Sequence, residues 1–342
     1  MLGGITQDAL LSGLPYSLAF LGVWMTFRLQ GEFDISVDNM FALGGAVYGA
    51  WVLHGGNALV GTVFAAGAGA LAGGLIYAVM RLLKLSLLLA SIIVGTGLFS
   101  ANLLIMGVPN LNLFGSSNLF QSWADTLSGG DLNTAVIELA GLIAVAAFVL
   151  LLIFLRTEFG LLMRANGLNR KMVLGNAGSP SRLLLLSVVA GDCLVATSGA
   201  LVAQQQGFSD IEMGLGTLVA AITAILIGEM ITGRTGATTR GVLAVLIGAL
   251  IYRAALSAAF RAGLDPSYFQ GITALIVFVL LGLRRAGGRL SFQPATVRQR
   301  LLARRSPVGA VAESAAPAAP SEEPAPEPGT DIRPREASEG RL

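Results

Sequence analysis

The chain has 342 residues, of which 54% are hydrophobic and 12% are charged, and its mean hydropathy is +0.73. Soluble domains carry about 25% charged residues, so this composition excludes an ordinary soluble protein, and repeated apolar runs indicate a polytopic membrane protein. A single cysteine, Cys193, excludes a disulfide framework, and a single histidine, His54, argues against a zinc site or a histidine-based triad.

Nine apolar runs are predicted to be membrane helices, with eight or ten as the alternatives. Their approximate limits are Asp8–Arg28, Asp38–Leu53, Ala58–Met80, Ser86–Met106, Thr134–Leu155, Leu183–Ala203, Gly214–Ile231, Gly241–Phe260 and Ser267–Leu283. The first is interpreted as a retained span, because it has no signal cleavage site. The second is short, which favours a broken or tilted helix. The expected fold is therefore all-α.

Charged residues alternate between the two sides of these spans. Basic residues fall on one side, namely Arg81, Lys84, Arg234, Arg240, Arg284, Arg285 and Arg289. Acidic residues fall on the other side, namely Asp125, Asp131, Asp210, Glu212 and Asp265, where Arg261 is the main exception. Loops rich in Lys and Arg stay in the cytoplasm. The pattern predicts a cytoplasmic C-terminus and, for nine spans, an N-terminus outside.

The longest polar interruption between spans is also basic, with Arg156, Arg164, Arg170, Lys171 and Arg182 against one acid, Glu158. Asn169 is suited to cap a short helix from Arg170, which Gly175 or Gly178 would end. Ser179 and Pro180 are typical of the cap and first position of the next helix. Such a segment suits docking to another protein, and an ordinary positive-inside loop is the alternative.

Two stretches resemble each other in sequence. Gln30-Gly31-Glu32-Phe33-Asp34-Ile35 follows the first span, and Gln206-Gly207-Phe208-Ser209-Asp210-Ile211 follows the sixth. The predicted topology places them on opposite sides, as an inverted repeat would, and interrupted helices at corresponding positions of such repeats line the substrate route. Chance similarity between glycine-rich loops is the alternative.

Several polar residues fall within or beside the spans and are candidates for the substrate route: Asp34, Asp38, Asn102, Asp192, Gln206, Asp210 and Arg253. Asp192 and Arg253 are predicted at similar depth, where pairing would reduce the cost of burying a charge. Such a pair would either fix helix packing, the favoured interpretation, or line the route. Asn102 could face a cavity or cap its helix.

The chain divides into two segments of different composition. Residues 1–286 form the predicted transmembrane domain, and residues 287–342 form a tail that begins basic and becomes rich in Pro, Ala and Glu. The basic part is expected to lie against anionic lipid headgroups. The remainder is predicted to be disordered.

The motifs TEFGLLMRANGLNRKMVLGNAG, SGALVAQQQGFSDIEMGLGT and IGE resemble the permease subunits of bacterial ABC importers of the branched-chain amino acid and ribose group. FDISVDNMFALGGAV, IMGVPNLNLFG and IYRAALSAAFRAGLDP are similar to the subgroup linked to tryptophan and tyrosine uptake. The resemblance covers about residues 9 to 285.

This resemblance implies a type II-like importer in the bacterial cytoplasmic (inner) membrane, with no cofactor or nucleic acid. Two permeases, expected to be a homodimer, would form the pathway, with separate P-loop ATPases below and an extracytoplasmic binding protein above. Its coupling segment maps onto Arg164, Gly167, Asn169, Arg170, Lys171, Leu174 and Gly175. Asp210 and Glu212 are expected to meet the binding protein.

Two rival functions have their own sequence signatures. A stand-alone secondary carrier would use Asp192 or Asp38 for ion coupling, and an intramembrane enzyme would need a partner for His54. The sequence has no GxxxxGK[ST] motif, so ATP would have to be hydrolysed by another subunit. The expected substrate is a small solute, with an aromatic amino acid favoured by resemblance alone.

Overall fold

A computed structural model describes residues 2–168, 173, 179–233, 239–265 and 268–286. The described helices are α1 Leu2–Trp24, α2 Val37–Leu53, α3 Ala58–Leu82, α4 Leu87–Met106, α5 Leu119–Thr126, α6 Leu132–Arg156, α7 Glu158–Leu168, α8 Pro180–Gln206, α9 Thr217–Thr232, α10 Thr239–Arg261 and α11 Phe269–Ala286. A π-helical segment, Met25–Gln30, continues α1, and two short strands are β1 Asn110–Asn112 and β2 Phe208–Asp210. The predicted all-α polytopic fold is confirmed, apart from this pair of strands.

Among the described residues, six helical stretches are long and apolar enough to cross a membrane: Gly4–Gln30, Ala58–Leu82, Leu87–Met106, Leu132–Arg156, Pro180–Gln206 and Arg240–Arg261. The other three predicted spans are shorter helices, α2, α9 and α11. Large apolar side chains such as Leu71, Leu104 and Leu150 are exposed on the outer faces, as lipid-facing residues are.

Local sequence signals explain where the helices begin and end. Asn57 caps α3 by accepting a hydrogen bond from the N–H of Leu59 at 2.8 Å. α8 begins at Pro180 after Ser179, as predicted, although the Ser179 side chain makes no capping hydrogen bond. Pro15 lies inside α1 and has no N–H, which frees the carbonyl of Leu11 to accept from the Gln205 side chain at 3.0 Å.

Helix α8 is the central element and packs against α1, α2 and α3. Glycines bring these helices within backbone contact. A Cβ at Gly44 would lie 1.8 Å from the carbonyl oxygen of Ala196, and one at Gly22 would lie 2.4 Å from that of Gly191. A Cβ at Gly69 would lie 2.5 Å from the carbonyl oxygen of Asp192. Small residues at helix contacts are typical of packing in lipid.

The bundle has two ends of different charge. The arginine end carries the exposed side chains of Arg81, Lys84, Arg156, Arg182 and Arg240. The strand end carries β1 and β2 together with Asp8, Asp125, Asp131, Glu212 and Asp265, and also Arg261. The predicted separation of basic from acidic residues is therefore present in the fold. The predicted tail, residues 287–342, lies outside the described residues and stays a prediction.

The two similar sequence stretches have the same backbone geometry at opposite ends. Gly31 ends the π-helical segment at φ 71°, ψ 20°, and Gly207 ends α8 at φ 75°, ψ 13°. Both values lie in the left-handed region that favours glycine. Three residues later, Asp34 accepts from the N–H of Ser36 and Asp210 from that of Glu212, both at 2.8 Å.

Contacts between helices repeat with the same shift of 176 residues (31 to 207, and 34 to 210). The Ser198 hydroxyl donates to the carbonyl of Pro15 at 2.8 Å, and Gly22 packs on Gly191. The shift maps position 15 onto 191 and position 22 onto 198. The contact between 15 and 198 therefore corresponds to the contact between 191 and 22. This correspondence supports the inverted repeat, which stays a prediction.

Candidate functional site

Two helices start inside the protein rather than at one of its ends. Ser36, just before α2, packs against Gly95, halfway along α4. Asp38 in the first turn of α2 accepts hydrogen bonds from the N–H of Gly216 at 3.0 Å and of Leu218 at 2.9 Å. The first N–H groups of a helix lack intrahelical partners and carry partial positive charge. One carboxylate of α2 therefore caps α9 and joins the starts of the two helices. We call this contact of Asp38 with Gly216 and Leu218 the helix junction.

Close backbone approach makes the helix junction possible. A Cβ at Gly214 would lie 1.9 Å from the carbonyl oxygen of Asp38, so a side chain at this position would separate the two segments. Gly216 has φ 83°, which allows the chain to turn directly into α9. Asp38 is half-buried and keeps contact with open space beside the junction.

A cavity of about 350 Å³ lies beside Asp38. It is lined by Asp38, Leu215, Gly216, Val219, Phe269, Gln270, Thr273 and Ala274. Ligand cavities usually have volumes of about 300 to 1,000 Å³ and combine apolar walls with a few polar groups. The carboxylate, the Gln270 amide and the Phe269 ring suit a small solute that has both a polar and an apolar part.

Three other predicted route residues, Asn102, Asp34 and Asp192, are buried. Asn102 is fully buried, and its side-chain amide donates to the carbonyl of Asn39 at 3.0 Å, which fixes the start of α2. Asp34 is buried, and its carboxylate also accepts from the Ser36 hydroxyl at 2.6 Å. Asp192 lies near the middle of α8 and interacts with Asp34.

The strand end holds the remaining acidic candidates. Asp210 accepts from the Asn110 side chain at 2.9 Å, and the two residues are also partners in the antiparallel pairing of β1 with β2. Gln206 and Glu212 are exposed beside them. These residues form a polar rim on the strand end, opposite the arginine end.

The predicted ion pair between Asp192 and Arg253 is wrong. Among the described residues neither forms a salt bridge, and the Arg253 guanidinium instead lies 3.5 Å from the centroid of the Tyr16 ring. Arg253 packs against Gly13 of α1, whereas Gly191 packs against Gly22. Nine residues of helix separate these levels by roughly 13 Å. Counting residues from the helix ends missed this difference in depth.

At the arginine end, the described part of the predicted coupling segment binds its own chain. The Arg164 guanidinium donates to the carbonyls of Leu155 and Gly160, which ties α7 to the end of α6. A Cβ at Gly167 would lie 1.9 Å from the carbonyl oxygen of Leu29 in the π-helical segment. The predicted residues Asn169, Arg170, Lys171, Leu174 and Gly175 lie outside the described residues.

Polar side chains join α7 to the π-helical segment and to the start of α8. The Asn166 amide donates to Gln30 at 2.7 Å, and Gln30 donates to the carbonyl of Leu183 at 3.3 Å. In the same π-helical segment, Arg28 forms an ion pair with Glu229 near the end of α9. The π-helical segment is thus linked by side chains to α7, to α8 and to the end of α9.

Residues 5–281 match the family described as branched-chain amino acid transport system, permease component. The chain belongs to this family. The permease is therefore a multi-pass membrane transport component rather than an enzyme in itself.

Curated relatives cover most of the permease. It is 30% identical over 269 residues to a tyrosine transport system permease protein of Clostridioides difficile (strain R20291), covering 78% of this chain and 87% of the relative. It is 32% identical over 284 residues to an uncharacterized protein of Rickettsia prowazekii (strain Madrid E), with 80% and 97% coverage. It is 27% identical over 297 residues to a galactofuranose transporter permease protein of Escherichia coli (strain K12), with 81% coverage of both. No solved structure matches the permease.

Sequence reasoning missed three side chains that organise the permease. Glu229 lies in an apolar helix, and a buried acid in such a helix requires a partner, so the residue itself was a usable signal. Its partner Arg28 lies 201 positions away, at the end of another helix, and nothing local identifies it. Tyr16 gave no signal, because an aromatic residue in an apolar run is ordinary.

Proposed function

We propose that this chain is the membrane-spanning subunit of an ATP-driven ABC importer for a small solute. The observation that carries the proposal is the helix junction, where two inverted half-helices meet through Asp38, in a chain of the permease family. Discontinuous helices that meet inside the membrane leave N–H groups and carboxylates available at the level where substrates bind.

The proposed route passes the cavity beside Asp38 and opens at the polar rim of the strand end. Asp34, Asn102 and Asp192 would shape the junction from within, whereas Gln206, Asp210 and Arg253 would act nearer the opening. An aromatic amino acid is the proposed substrate class, since one relative is named a tyrosine permease and the cavity offers a carboxylate and a ring. A sugar is the competing class, because another relative is named for galactofuranose.

The proposed assembly contains a second permease copy, two P-loop ATPases at the arginine end and a binding protein at the strand end. The positive-inside rule supports placing the arginine end and the C-terminus in the cytoplasm of a bacterial inner membrane. Asp210 and Glu212 would meet basic residues of the binding protein. Arg164 and Gly167 would hold the coupling segment to its own chain, with Asn169, Arg170, Lys171, Leu174 and Gly175 facing the ATPase.

Reconstituted transport tests the proposal. The permease is placed in proteoliposomes with a candidate ATPase and a candidate binding protein, and uptake of labelled tyrosine, leucine and galactofuranose is measured. We expect tyrosine uptake that requires both ATP and the binding protein. Uptake driven by a proton or sodium gradient in the permease alone would contradict the proposal and favour a secondary carrier.

A separate variant tests the coupling segment. Arg170→Glu, Lys171→Glu and Leu174→Asp together would place like charges and a buried acid against the proposed ATPase groove. We expect normal amounts of membrane-inserted permease that no longer co-purify with the ATPase or transport. Arg81→Glu with Lys84→Glu is the matched control, because it changes charge at the same end in another loop. Normal ATPase binding by the triple variant would remove this segment from the interface.

A further inference from the structure

Two carboxyl groups meet in the interior, between the segment before α2 and the middle of α8. Asp34 is 2% exposed and Asp192 is 1% exposed, and their side chains interact directly. The Oδ2 atoms of both residues are buried without a hydrogen-bond donor, whereas Oδ1 of Asp34 is held by Ser36. The arrangement leaves one free acceptor on each acid.

Charged neighbours do not neutralise this acid pair. The ion pairs of the described residues join Arg28 to Glu229 and Arg261 to Asp8, and neither involves Asp34 or Asp192. The titratable groups that act on Asp192 are Asp34 and the Cys193 thiol. From α3, the packed residues are Gly69 and Gly73, which carry no charge.

The close approach of α3 also limits what can bind. A Cβ at Gly73 would lie 2.7 Å from Oδ2 of Asp192, so the space beside this oxygen is closed by backbone. Calcium takes six to eight oxygen ligands, and magnesium needs near-ideal octahedral geometry. The described part of the chain contains no group of three or more His, Cys, Asp or Glu able to hold a metal ion. The arrangement therefore lacks the ligands that calcium or magnesium needs.

Two ionised carboxylates in contact within a low-dielectric interior repel each other, and one of them normally keeps a proton. A single proton makes one acid a donor to the other and gives both free acceptors a partner. We propose that Asp34 and Asp192 form a proton-binding site in which the two acids share one proton. The shared proton fixes the segment from Gly31 to Ser36 against α8.

Proton occupancy of this site acts on the helix junction. The segment that carries Asp34 leads directly into α2, whose Asp38 caps α9. Loss of the proton would place two negative charges in contact and push the segment away from α8. The proton site consists of side chains of this chain alone, so the proposal does not depend on which solute the permease transports or which partner proteins it binds.

Infrared spectroscopy of the full-length protein in lipid nanodiscs tests the proton directly. We expect a protonated-carboxyl C=O band at neutral pH in the wild type, lost in both Asp192→Asn and Asp34→Asn. Asp210→Asn is the matched control, because it changes the corresponding acid of the other half, and it should leave the band unchanged. The absence of such a band at neutral pH, or its survival in Asp192→Asn, would overturn the proposal.

Thermal unfolding supplies a second readout. The folded protein would hold a proton that the unfolded chain releases, so stability should fall as pH rises above the ordinary aspartate range. Asp192→Asn should fold, since its amide can donate to Asp34, and should lose this pH dependence, whereas Asp192→Ala should be less stable. Equal pH dependence in the wild type and Asp192→Asn would contradict proton sharing. Stabilisation by sodium over potassium at fixed pH would identify a metal cation instead.

Discussion

The two re-entrant segments, residues 31–38 and 207–216, share a turn but differ in what surrounds their acids. Gly31 and Gly207 adopt nearly the same left-handed conformation. Asp34 and Asp210 each accept a 2.8 Å hydrogen bond from the backbone N–H two residues later. Asp34 faces Asp192 in the interior, whereas Asp210 faces Asn110 at the strand end. The sequence motif thus determines the backbone, and the neighbouring helices determine the chemistry.

The same contrast recurs at residues 16 and 192, which the 176-residue shift brings into correspondence. Tyr16 lies beneath the guanidinium of Arg253 on α10, and Asp192 lies against Gly73 on α3. A cation over an aromatic ring is satisfied by the ring's electrons. The acid in the corresponding place lies beside Asp34, with which we propose that it shares a proton. The residues at these two corresponding positions therefore interact with different kinds of partner.

The largest effect is expected at the contact between α2 and α8. A Cβ at Gly199 would lie 1.9 Å from the carbonyl oxygen of Phe41, so Gly199→Ala forces two helices apart. Overpacking a tight core costs about 1 to 3 kcal/mol or more. We expect a clear fall in unfolding temperature and in yield. Gly67→Ala is the control, because a Cβ at Gly67 has nothing within 4 Å, and equal behaviour of the two variants would contradict the packing described.

Asp38→Ala tests whether the two segments are joined by one carboxylate. It leaves the N–H groups of Gly216 and Leu218 without their acceptor, and loss of a helix cap costs about 1 kcal/mol. We expect a moderate loss of stability and a larger loss of transport, since the cavity beside Asp38 also changes. Asp38→Asn keeps one acceptor and should be milder. If Asp38→Ala transports normally, the helix junction is not part of the route.

Two ion pairs, one at each end, allow a matched comparison. Glu229 is 7% exposed in its pair with Arg28, whereas Asp8 and Arg261 are 41% and 46% exposed in theirs. Arg28→Met leaves a buried acid without its partner and should be destabilising, and adding Glu229→Gln should restore part of the loss. Arg261→Met should change stability by about 1 kcal/mol or less. Thermal unfolding measures both effects. Equal losses of stability at the two ends would show that burial does not make the Arg28–Glu229 pair more important than the exposed one.

The smallest effect on the permease itself is expected at the polar rim. Asp210→Lys with Glu212→Lys reverses two charges at the strand end, far from the arginine end, and should leave membrane insertion and ATPase binding intact. Rim charges mainly affect association rate and its salt dependence, so docking of the binding protein should slow at low salt. Binding kinetics on immobilised permease measure this. An unchanged association rate would place these acids outside the docking surface.

The sequence predicted much of this fold because the relevant signals are local. Apolar runs located the helices, Ser179-Pro180 located the start of α8, and the shared Gln-Gly motif located both re-entrant turns. It did not predict that α2 and α9 begin inside the protein, since helix length alone does not give depth. It paired Asp192 with Arg253 and missed Arg28 with Glu229, because partners between distant helices depend on packing that no local pattern encodes.

We expect the two matching segments to enter the protein from opposite sides of the membrane. In a Cys193→Ser background, Phe33→Cys and Phe208→Cys each place one thiol at an exposed position of a segment. The measurement is labelling by a membrane-impermeant maleimide in intact cells and in inside-out vesicles. We expect Phe208→Cys to be labelled in intact cells and Phe33→Cys to be labelled in inside-out vesicles. Labelling of both positions from the same side would contradict it.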